Sequence, residues 1–284
     1  MLEVFGNELE KIRLQKLLFL LSRNQIKPEY DFIPYKYGCY SFSANADLTA
    51  MVRQGILQES ESDFAKNDEV EYFKTLKLID QKKILELKES YGKMNANSLM
   101  KHTYMNYPFW AIKSLKAKEI LDEKYYGKVL NAIPKSDKTT LFTIGYEGIS
   151  LEEYLTRLVR NDVKILVDVR RNPLSMKFGF SKTLLQRYCN ALDIEYLHSP
   201  EVGIESDKRQ ELNNQSDYDK LFENYKECNI PNTLKTQNKI LDLLKSKKRI
   251  ALTCFEADIC QCHRKHLAEA IHSNQSFSFD VKHI

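Results

Sequence analysis

The chain has 284 residues, of which 43% are hydrophobic and 29% are charged, and its formal net charge is +4. This length suffices for two ordinary domains, and the composition is that of a globular protein, which argues against a disordered or fibrous chain. The longest candidate membrane segment, Leu17 to Leu21, is far shorter than the ~18–20 residues that cross a bilayer. The acidic, helix-patterned N-terminus is unlike a signal peptide. We therefore expect a cytoplasmic protein without a membrane partner, in which the cysteines stay reduced.

The N-terminal part begins with helical and extended patterns in alternation. Residues 11–23, KIRLQKLLFLLSR, place their apolar side chains mostly on one face of a helix. An aromatic segment with a turn at Gly38 follows, and then a second amphipathic helix for which Ser43 or Asn45 is the expected cap. The stretch that starts GILQESESDF predicts a strand, an acidic turn and another strand. Helix, helix and hairpin in this order are the outline of a winged-helix module.

The aromatic stretch YKYGCYS is similar to part of the small helical and winged modules of antitoxin-like and phage-related proteins of the SocA type. A plain helical accessory domain is the alternative. Helical patterns continue from Leu76 to Asn131, until the polar segment PKSDKT interrupts them. We place the domain boundary there, so that residues 1–138 form a mostly helical, winged-helix-like domain and residues 139–284 form a second domain.

Beyond the boundary, short apolar runs alternate with amphipathic helical segments. The runs LFTIGY, VKILVDVR, IEYLHSP and RIALTCF predict strands, and the tail FSFDVKHI predicts an edge strand. Nearly continuous apolar strands that are separated by helices are typical of a parallel sheet covered on both faces. The fold class predicted for residues 139–284 is therefore α/β, with a mainly parallel sheet and helices on both faces.

Polar residues follow each predicted strand. GYEG follows the first strand, Asp168, Arg170 and Ser175 follow the second, His198 follows the third and Cys254 follows the fourth. In an open parallel sheet, ligands bind beyond the carboxyl ends of the strands. The pattern therefore predicts a ligand site at this edge of the sheet.

Five motifs in this order, TIGYEG, LVDVRRNPLS, GFSKTLLQRY, IEYLHSPEVG and LTCFEADICQCHR, resemble domain-of-unknown-function family 488 between about Leu141 and His272. The family label names no reaction. The resemblance implies a compact α/β domain with one pocket surrounded by the matching positions Asp168, Arg170, Ser175, Cys254, Glu256, Cys262, His263 and Arg264. Arg171 and Asn172 are not among those positions.

The last motif combines thiols, a carboxylate, an imidazole and a guanidinium. Cys262, His263 and Arg264 open a predicted helix, where the helix dipole favours an anion and lowers the pKa of a thiol. An arginine there can bind phosphate or carboxylate through two hydrogen bonds. Glu256 is expected on the same side as Cys254, as a general base or as an anchor for an arginine. The candidate catalytic residues are Cys254, Glu256, Cys262 and Asp168, and the candidate anion-binding residues are Arg170, Arg264, His263, Ser175, Gly145 and Tyr146.

Three alternatives remain open at this cluster. The cysteines can pack as small apolar groups behind an arginine-lined pocket. The arginines can form structural ion pairs with Asp168 or Glu256 instead of binding a ligand. A zinc site would use Cys254, Cys260, Cys262, His263 and His266, but this spacing differs from the usual short loops between zinc ligands. We therefore expect neither a metal nor another cofactor.

From these patterns we expect a nucleic-acid-associated protein. The first domain would hold DNA or RNA, and the second would present an arginine-lined pocket, catalytic or not, to a phosphate or a nucleotide. One alternative is an enzyme of the rhodanese kind, because a cysteine directly after a parallel strand resembles that sulfur-transfer architecture, although the rhodanese active-site loop is absent. Another alternative is a regulatory protein that senses a nucleotide without catalysis.

Overall fold

The structure is a computed structural model of the chain, and it describes residues 1–205, 214–273 and 278–284. Their contacts divide the chain into two compact units, Met1–Ile133 and Pro134–Ile284. Every helix in the described part is too short or too polar to traverse a lipid bilayer.

The N-terminal unit is mostly helical and carries two small antiparallel sheets, one of them ordered β1-β5-β4 and the other made of β2 and β3. Its elements in chain order are β1 (Glu8–Glu10), α1 (Lys11–Asn24), β2 (Ile33–Tyr35), β3 (Gly38–Tyr40), α2 (Phe42–Arg53), β4 (Leu57–Glu59), β5 (Asp63–Lys66), α3 (Tyr72–Thr75), α4 (Leu78–Tyr91), α5 (Ala96–Asn106), α6 (Ala117–Ile120) and α7 (Glu123–Asn131).

Helix α1 is the centre of this unit. It buries Leu14, Leu17, Phe19 and Leu20 in one hydrophobic cluster. Helix α4 contributes Leu87 to this cluster, and the β1-β5-β4 sheet contributes further apolar side chains. The N-cap predicted for α2, Ser43 or Asn45, was wrong. The cap is Ser41, whose side chain accepts the hydrogen bond from the backbone N–H of Ala44. The predicted helical stretch of residues 111–133 is divided into α6 and α7.

The C-terminal unit is the predicted α/β domain. Its elements are β6 (Thr140–Gly145), α8 (Leu151–Arg160), β7 (Ile165–Asp168), α9 (Lys182–Asn190), β8 (Glu195–His198), α10 (Gln215–Asn224), α11 (Ile230–Asn232), α12 (Leu234–Lys247), β9 (Arg249–Cys254), α13 (His263–Ser273) and β10 (Asp280–His283). The five strands form one sheet of order β10-β6-β9-β7-β8, and every neighbouring pair is parallel. The predicted parallel sheet is confirmed. The tail strand forms at the edge as β10, and Phe277 of the predicted tail segment lies outside the described residues.

Strand β9 shows how the sheet is covered on both faces. Because side chains alternate along a strand, Ile250, Leu252 and Cys254 share one face, where they pack with apolar residues of α12 and α13. Thr253 points to the opposite face, where its hydroxyl accepts a hydrogen bond from Tyr154 of α8 at 2.8 Å. Cys254 therefore lies at the end of the strand and on the side of α13.

Candidate active site

Four strand ends meet at one edge of the sheet, where the polar residues were predicted. In the register, Gly145 at the end of β6 pairs with Cys254 at the end of β9. Asp168 at the end of β7 pairs with Thr253 on one side and with His198 on the other. The strands are parallel, so their carboxyl ends lie on the same side and the loops that follow them are neighbours.

Asp168 and Arg170 form a buried ion pair at this edge. The guanidinium forks onto the carboxylate, with 2.8 Å from Nε to Oδ1 and 2.5 Å from Nη2 to Oδ2. The hydroxyl of Tyr196 also donates to Asp168, at 2.6 Å. Asp168 is 0% and Arg170 is 6% exposed. Burial tends to lower the pKa of Arg170, but its hydrogen bonds to Asp168 and the charge of Asp168 outweigh burial and raise that pKa, so the pair stays ionised.

The other side of the Arg170 guanidinium is also occupied. Nη1 donates to the Tyr146 hydroxyl at 2.8 Å and to the Phe180 carbonyl oxygen at 2.9 Å. The rings of Tyr146 and Phe180 stack with their centroids 4.2 Å apart. Four of the five N–H groups of Arg170 are therefore used within the protein. This matches the structural ion pair that the sequence left open as an alternative to ligand binding.

Arg264 holds the loop that follows β9. Its Nη1 donates to the carbonyl oxygen of Glu256 at 2.6 Å, and its Nη2 donates to that of Ala257 at 3.2 Å. Its side chain is buried and does not line the pocket described below. The same loop lies so close to Gly145 that a β-carbon there would be 1.9 Å from the Glu256 carbonyl oxygen. Gly145 therefore permits the close approach of the two loops.

Two thiols and an imidazole converge behind the strand end. Nδ1 of His263 lies 3.7 Å from Sγ of Cys254 and 4.0 Å from Sγ of Cys262. Nε2 of the same ring lies 3.1 Å from the carbonyl oxygen of Val169, which can only accept a hydrogen bond. Nε2 therefore carries the proton, and Nδ1 presents its lone pair to the two sulfur atoms.

The expected activation of Cys262 by the helix terminus is not seen. Burial raises the pKa of the Cys262 thiol well above its usual value, and the neighbouring Cys254 and Glu256 raise it further. Burial therefore outweighs the favourable field at the start of α13 and the positive charge of Arg264. As a free group, Cys262 stays a protonated thiol at neutral pH.

A pocket of about 320 Å³ opens at the same edge of the sheet. Four of the predicted site residues line it: Tyr146, Arg170, Ser175 and Cys254. The rest of its wall is formed by Arg171, Asn172, Leu174, Ile204 and Phe255. The predicted residues Gly145, Asp168, Glu256, Cys262, His263 and Arg264 do not line it; they surround the pocket as support.

Arg171 and Asn172 are the polar residues of the pocket wall that were not among the predicted site residues. The side chain of Arg171 is 45% exposed, and its Nη2 lies 3.8 Å from Oε1 of Glu205. Because Arg170 is already neutralised by Asp168, Arg171 brings the accessible positive charge to this pocket. Its position directly after Arg170, at the end of a buried strand, was the available signal.

Two residues of the zinc arrangement considered from the sequence are not part of the thiol and imidazole cluster. Cys260 is exposed on a short 3₁₀ turn, and its backbone N–H donates to the side chain of Asp258. His266 lies one turn into α13, with its Nδ1 3.4 Å from a carboxylate oxygen of Glu269. Both residues are therefore outside the cluster of Cys254, Cys262 and His263.

Comparison with known proteins gives one family match. Residues 150–271 match the model of DUF488, a domain of unknown function, and the match begins just after the first predicted motif, TIGYEG. Neither the curated proteins nor the solved structures contain a match to this chain. The match confirms the resemblance that the ordered motifs indicated for the C-terminal half of the chain.

Proposed function

We propose that the C-terminal unit binds a phosphate-bearing ligand, such as a nucleotide, in the pocket lined by Arg170, Arg171 and Cys254, and that the protein does so in the cytoplasm. The observation that carries this proposal is that the half-exposed Arg171 and the residue Cys254 line one pocket at the carboxyl edge of the sheet. A ligand at this edge follows the general rule for parallel α/β sheets.

The charges at the pocket support an anionic ligand. The Asp168–Arg170 pair is neutral as a unit and fixes the pocket wall. Arg171 keeps its charge accessible, and its carboxylate contact within the described residues, with Glu205, is a long one of 3.8 Å between exposed side chains. Such an exposed pair contributes little to stability, so an anion can replace Glu205 as the partner of Arg171.

The first expected result is that Arg171→Ala weakens anion binding about 10- to 100-fold, because hydrogen bonds to a charged group are worth about 1.5–3 kcal/mol. Isothermal titration with inorganic phosphate, pyrophosphate and ribonucleoside monophosphates measures this affinity. Arg157→Ala is the matched control, since Arg157 is a similarly exposed arginine that pairs with Glu153 on the surface of α8.

A second variant tests the direction of the effect. Glu205→Gln removes the carboxylate that competes for Arg171, so we expect anion affinity to rise a few-fold. If the wild-type chain binds none of these anions, the proposal is wrong. Equal affinities in wild type and Arg171→Ala would place the anion elsewhere.

We propose nucleic acid as the macromolecular partner, and we propose that the N-terminal unit binds it. The support is the element order, in which two helices precede the β4–β5 hairpin and β1 joins that hairpin in a sheet of order β1-β5-β4. The charges count against a contact through the hairpin itself, because Glu59, Glu61 and Asp63 lie at or between its strands. Phosphate groups are repelled by such a turn.

Gel-shift titration with single- and double-stranded DNA and RNA tests this partner. We expect binding that weakens steeply between about 50 and 200 mM salt, as phosphate contacts require. If binding persists in Arg171→Ala, the N-terminal unit carries it; if binding is lost in that variant, the pocket does. The absence of any salt-sensitive shift would remove nucleic acid as a partner.

Sulfur transfer of the rhodanese kind is a second candidate, and one contact favours it. Cys254 is one of the residues that line the pocket, and its Sγ lies 3.7 Å from Nδ1 of His263, which can accept the thiol proton and leave a nucleophilic thiolate. Attack of that thiolate on the outer sulfur of thiosulfate would break the S–S bond, release sulfite and leave a persulfide on Cys254, which mass spectrometry detects. A pocket that binds a nucleotide without any use of Cys254 would instead be a sensor.

A further inference from the structure

Cys254, Cys262 and His263, three of the five residues considered as zinc ligands from the sequence, bring three donor atoms together. The two sulfur atoms and Nδ1 all lie within 4.8 Å of one another, and all three residues are buried. We propose that this cluster holds a divalent metal ion, with zinc as the ion that its donor chemistry favours, at the floor of the anion pocket.

The distances suit a tetrahedral zinc ion. With bonds of about 2.3 Å to sulfur and about 2.0–2.1 Å to nitrogen, a tetrahedral ion holds a sulfur and a nitrogen ligand about 3.6 Å apart. The two sulfur to Nδ1 distances in the structure are 3.7 and 4.0 Å. Shifts of a few tenths of an ångström therefore bring both sulfur to nitrogen distances to the tetrahedral value, and the two sulfur atoms lie within 4.8 Å of each other.

The orientation of His263 is that of a metal ligand. Metal-binding histidines almost always donate their other ring N–H to a carboxylate or a backbone carbonyl, which fixes the tautomer. Nε2 of His263 donates to the Val169 carbonyl, and Nδ1 faces both sulfur atoms. The strand end of β7 thus holds the ring in the required position.

The burial of the cluster agrees with this assignment. Binding a divalent ion releases one proton from each of the two thiols to the solvent, and the two thiolates then balance the charge of the ion. The resulting unit is neutral, so it avoids the cost of an uncompensated buried charge.

The site has three protein ligands, which is the pattern of catalytic zinc sites that keep one position open. Of the three residues, Cys254 lines the pocket. We infer that the open position faces the pocket and takes water or an oxygen of the bound anion. This last point rests on the proposed anion-binding function, whereas the binding of the metal itself does not.

The test uses the full-length chain, stripped with a chelating resin and reloaded with Zn²⁺ or Co²⁺. Elemental analysis should find about one zinc ion per chain, and cobalt should give the thiolate charge-transfer absorption of a tetrahedral site. Removing a residue that hydrogen-bonds to a metal ligand typically lowers metal affinity about 10- to 100-fold. Removing a direct ligand, in Cys254→Ser, Cys262→Ser or His263→Ala, should therefore lower it by at least about 100-fold. Cys260→Ser, in the same loop but outside the cluster, is the matched control and should bind as the wild type does.

Two measurements test metal binding even if one of the ligand variants fails to fold. The cobalt spectrum of the wild type reports thiolate ligation without any variant, and His263→Cys should retain binding with stronger sulfur-to-cobalt absorption. The absence of both zinc and the cobalt band in the wild type would overturn the proposal.

The metal-binding proposal and the anion-binding proposal can be refuted independently of each other. Arg171→Ala should lose anion affinity and keep its zinc, because Arg171 is not a ligand of the cluster. Zinc binding without any anion binding would support the metal and remove the proposed function. Anion binding by a chain that takes up no metal would do the reverse.

Discussion

Replacing Arg170 with methionine is expected to lower the free energy of unfolding of the C-terminal unit by about 3–5 kcal/mol, the cost of removing one partner of a buried ion pair. The variant leaves the Asp168 carboxylate at 0% exposure without its cation. It also removes the donors to the Tyr146 hydroxyl and to the Phe180 carbonyl. Methionine has about the length of the arginine stem, so the loss is electrostatic more than steric.

Urea denaturation followed by hydrogen exchange of the β7 and β8 amides measures this effect in the C-terminal unit alone, since the two units need not unfold together. The adjacent Arg171→Met is the control and should change stability by at most about 0.5 kcal/mol, as exposed substitutions do. The double variant Asp168→Leu/Arg170→Met should recover part of the loss, because no buried charge then remains. A loss of less than about 1 kcal/mol in Arg170→Met would mean that the pair does not hold the strand ends together.

Replacing Gly145 with alanine is expected to displace the loop after β9 and to cost more than the ~1–3 kcal/mol typical of an overfilled core. The new β-carbon would lie 1.9 Å from the carbonyl oxygen of Glu256 and 2.7 Å from its carbonyl carbon. Both are backbone atoms, so no side-chain rotation relieves the clash. The loop must move, and the hydrogen bonds from the Tyr146 and Glu147 amides to the Phe255 carbonyl are lost with it.

The same denaturation measurement, together with hydrogen exchange of the Tyr146 and Glu147 amides, follows this change. Gly127→Ala in α7 is the control, because a β-carbon added there meets no atom of the described residues within 4 Å and alanine favours a helix by about 1 kcal/mol. It should therefore be neutral or stabilising. Wild-type stability and exchange in Gly145→Ala would show that the loop can retreat at no cost, and that the close approach at this edge is not required.

Much of the C-terminal fold could be predicted because its signals are local and redundant. Strands β6, β7 and β9 are buried along their whole length, and a strand buried on both faces needs a continuous apolar run, which is visible without any knowledge of its neighbours. The polar residues that end these runs were visible for the same reason. Since parallel strands must place their carboxyl ends together, the edge that carries the pocket followed from the strand assignment.

Local capping was harder to predict, because several side chains compete for one terminus. Ser41, Ser43 and Asn45 are all good caps, and the extended backbone at Ser41 selected the first of them. The long helical stretch before the domain boundary breaks because Asp122 accepts a hydrogen bond from the Tyr125 amide and starts a new helix there. Hydrophobic periodicity continues through such a break and cannot report it.

The roles of the charged and thiol residues depended on contacts between distant parts of the chain. Arg170 and Arg171 are adjacent in sequence, yet the first is consumed by Asp168, Tyr146 and Phe180 while the second reaches the pocket. Cys254 and Cys262 are separated by a loop whose path is set by Arg264 and by the room that Gly145 leaves. Residue types and spacing located the polar edge of the sheet, because short segments of the sequence are enough to predict which strands are buried and in which direction they run. Which side chains neutralise one another there and which remain available to a ligand follows from packing, because a buried charge or thiol takes its character from the neighbours that the fold brings to it.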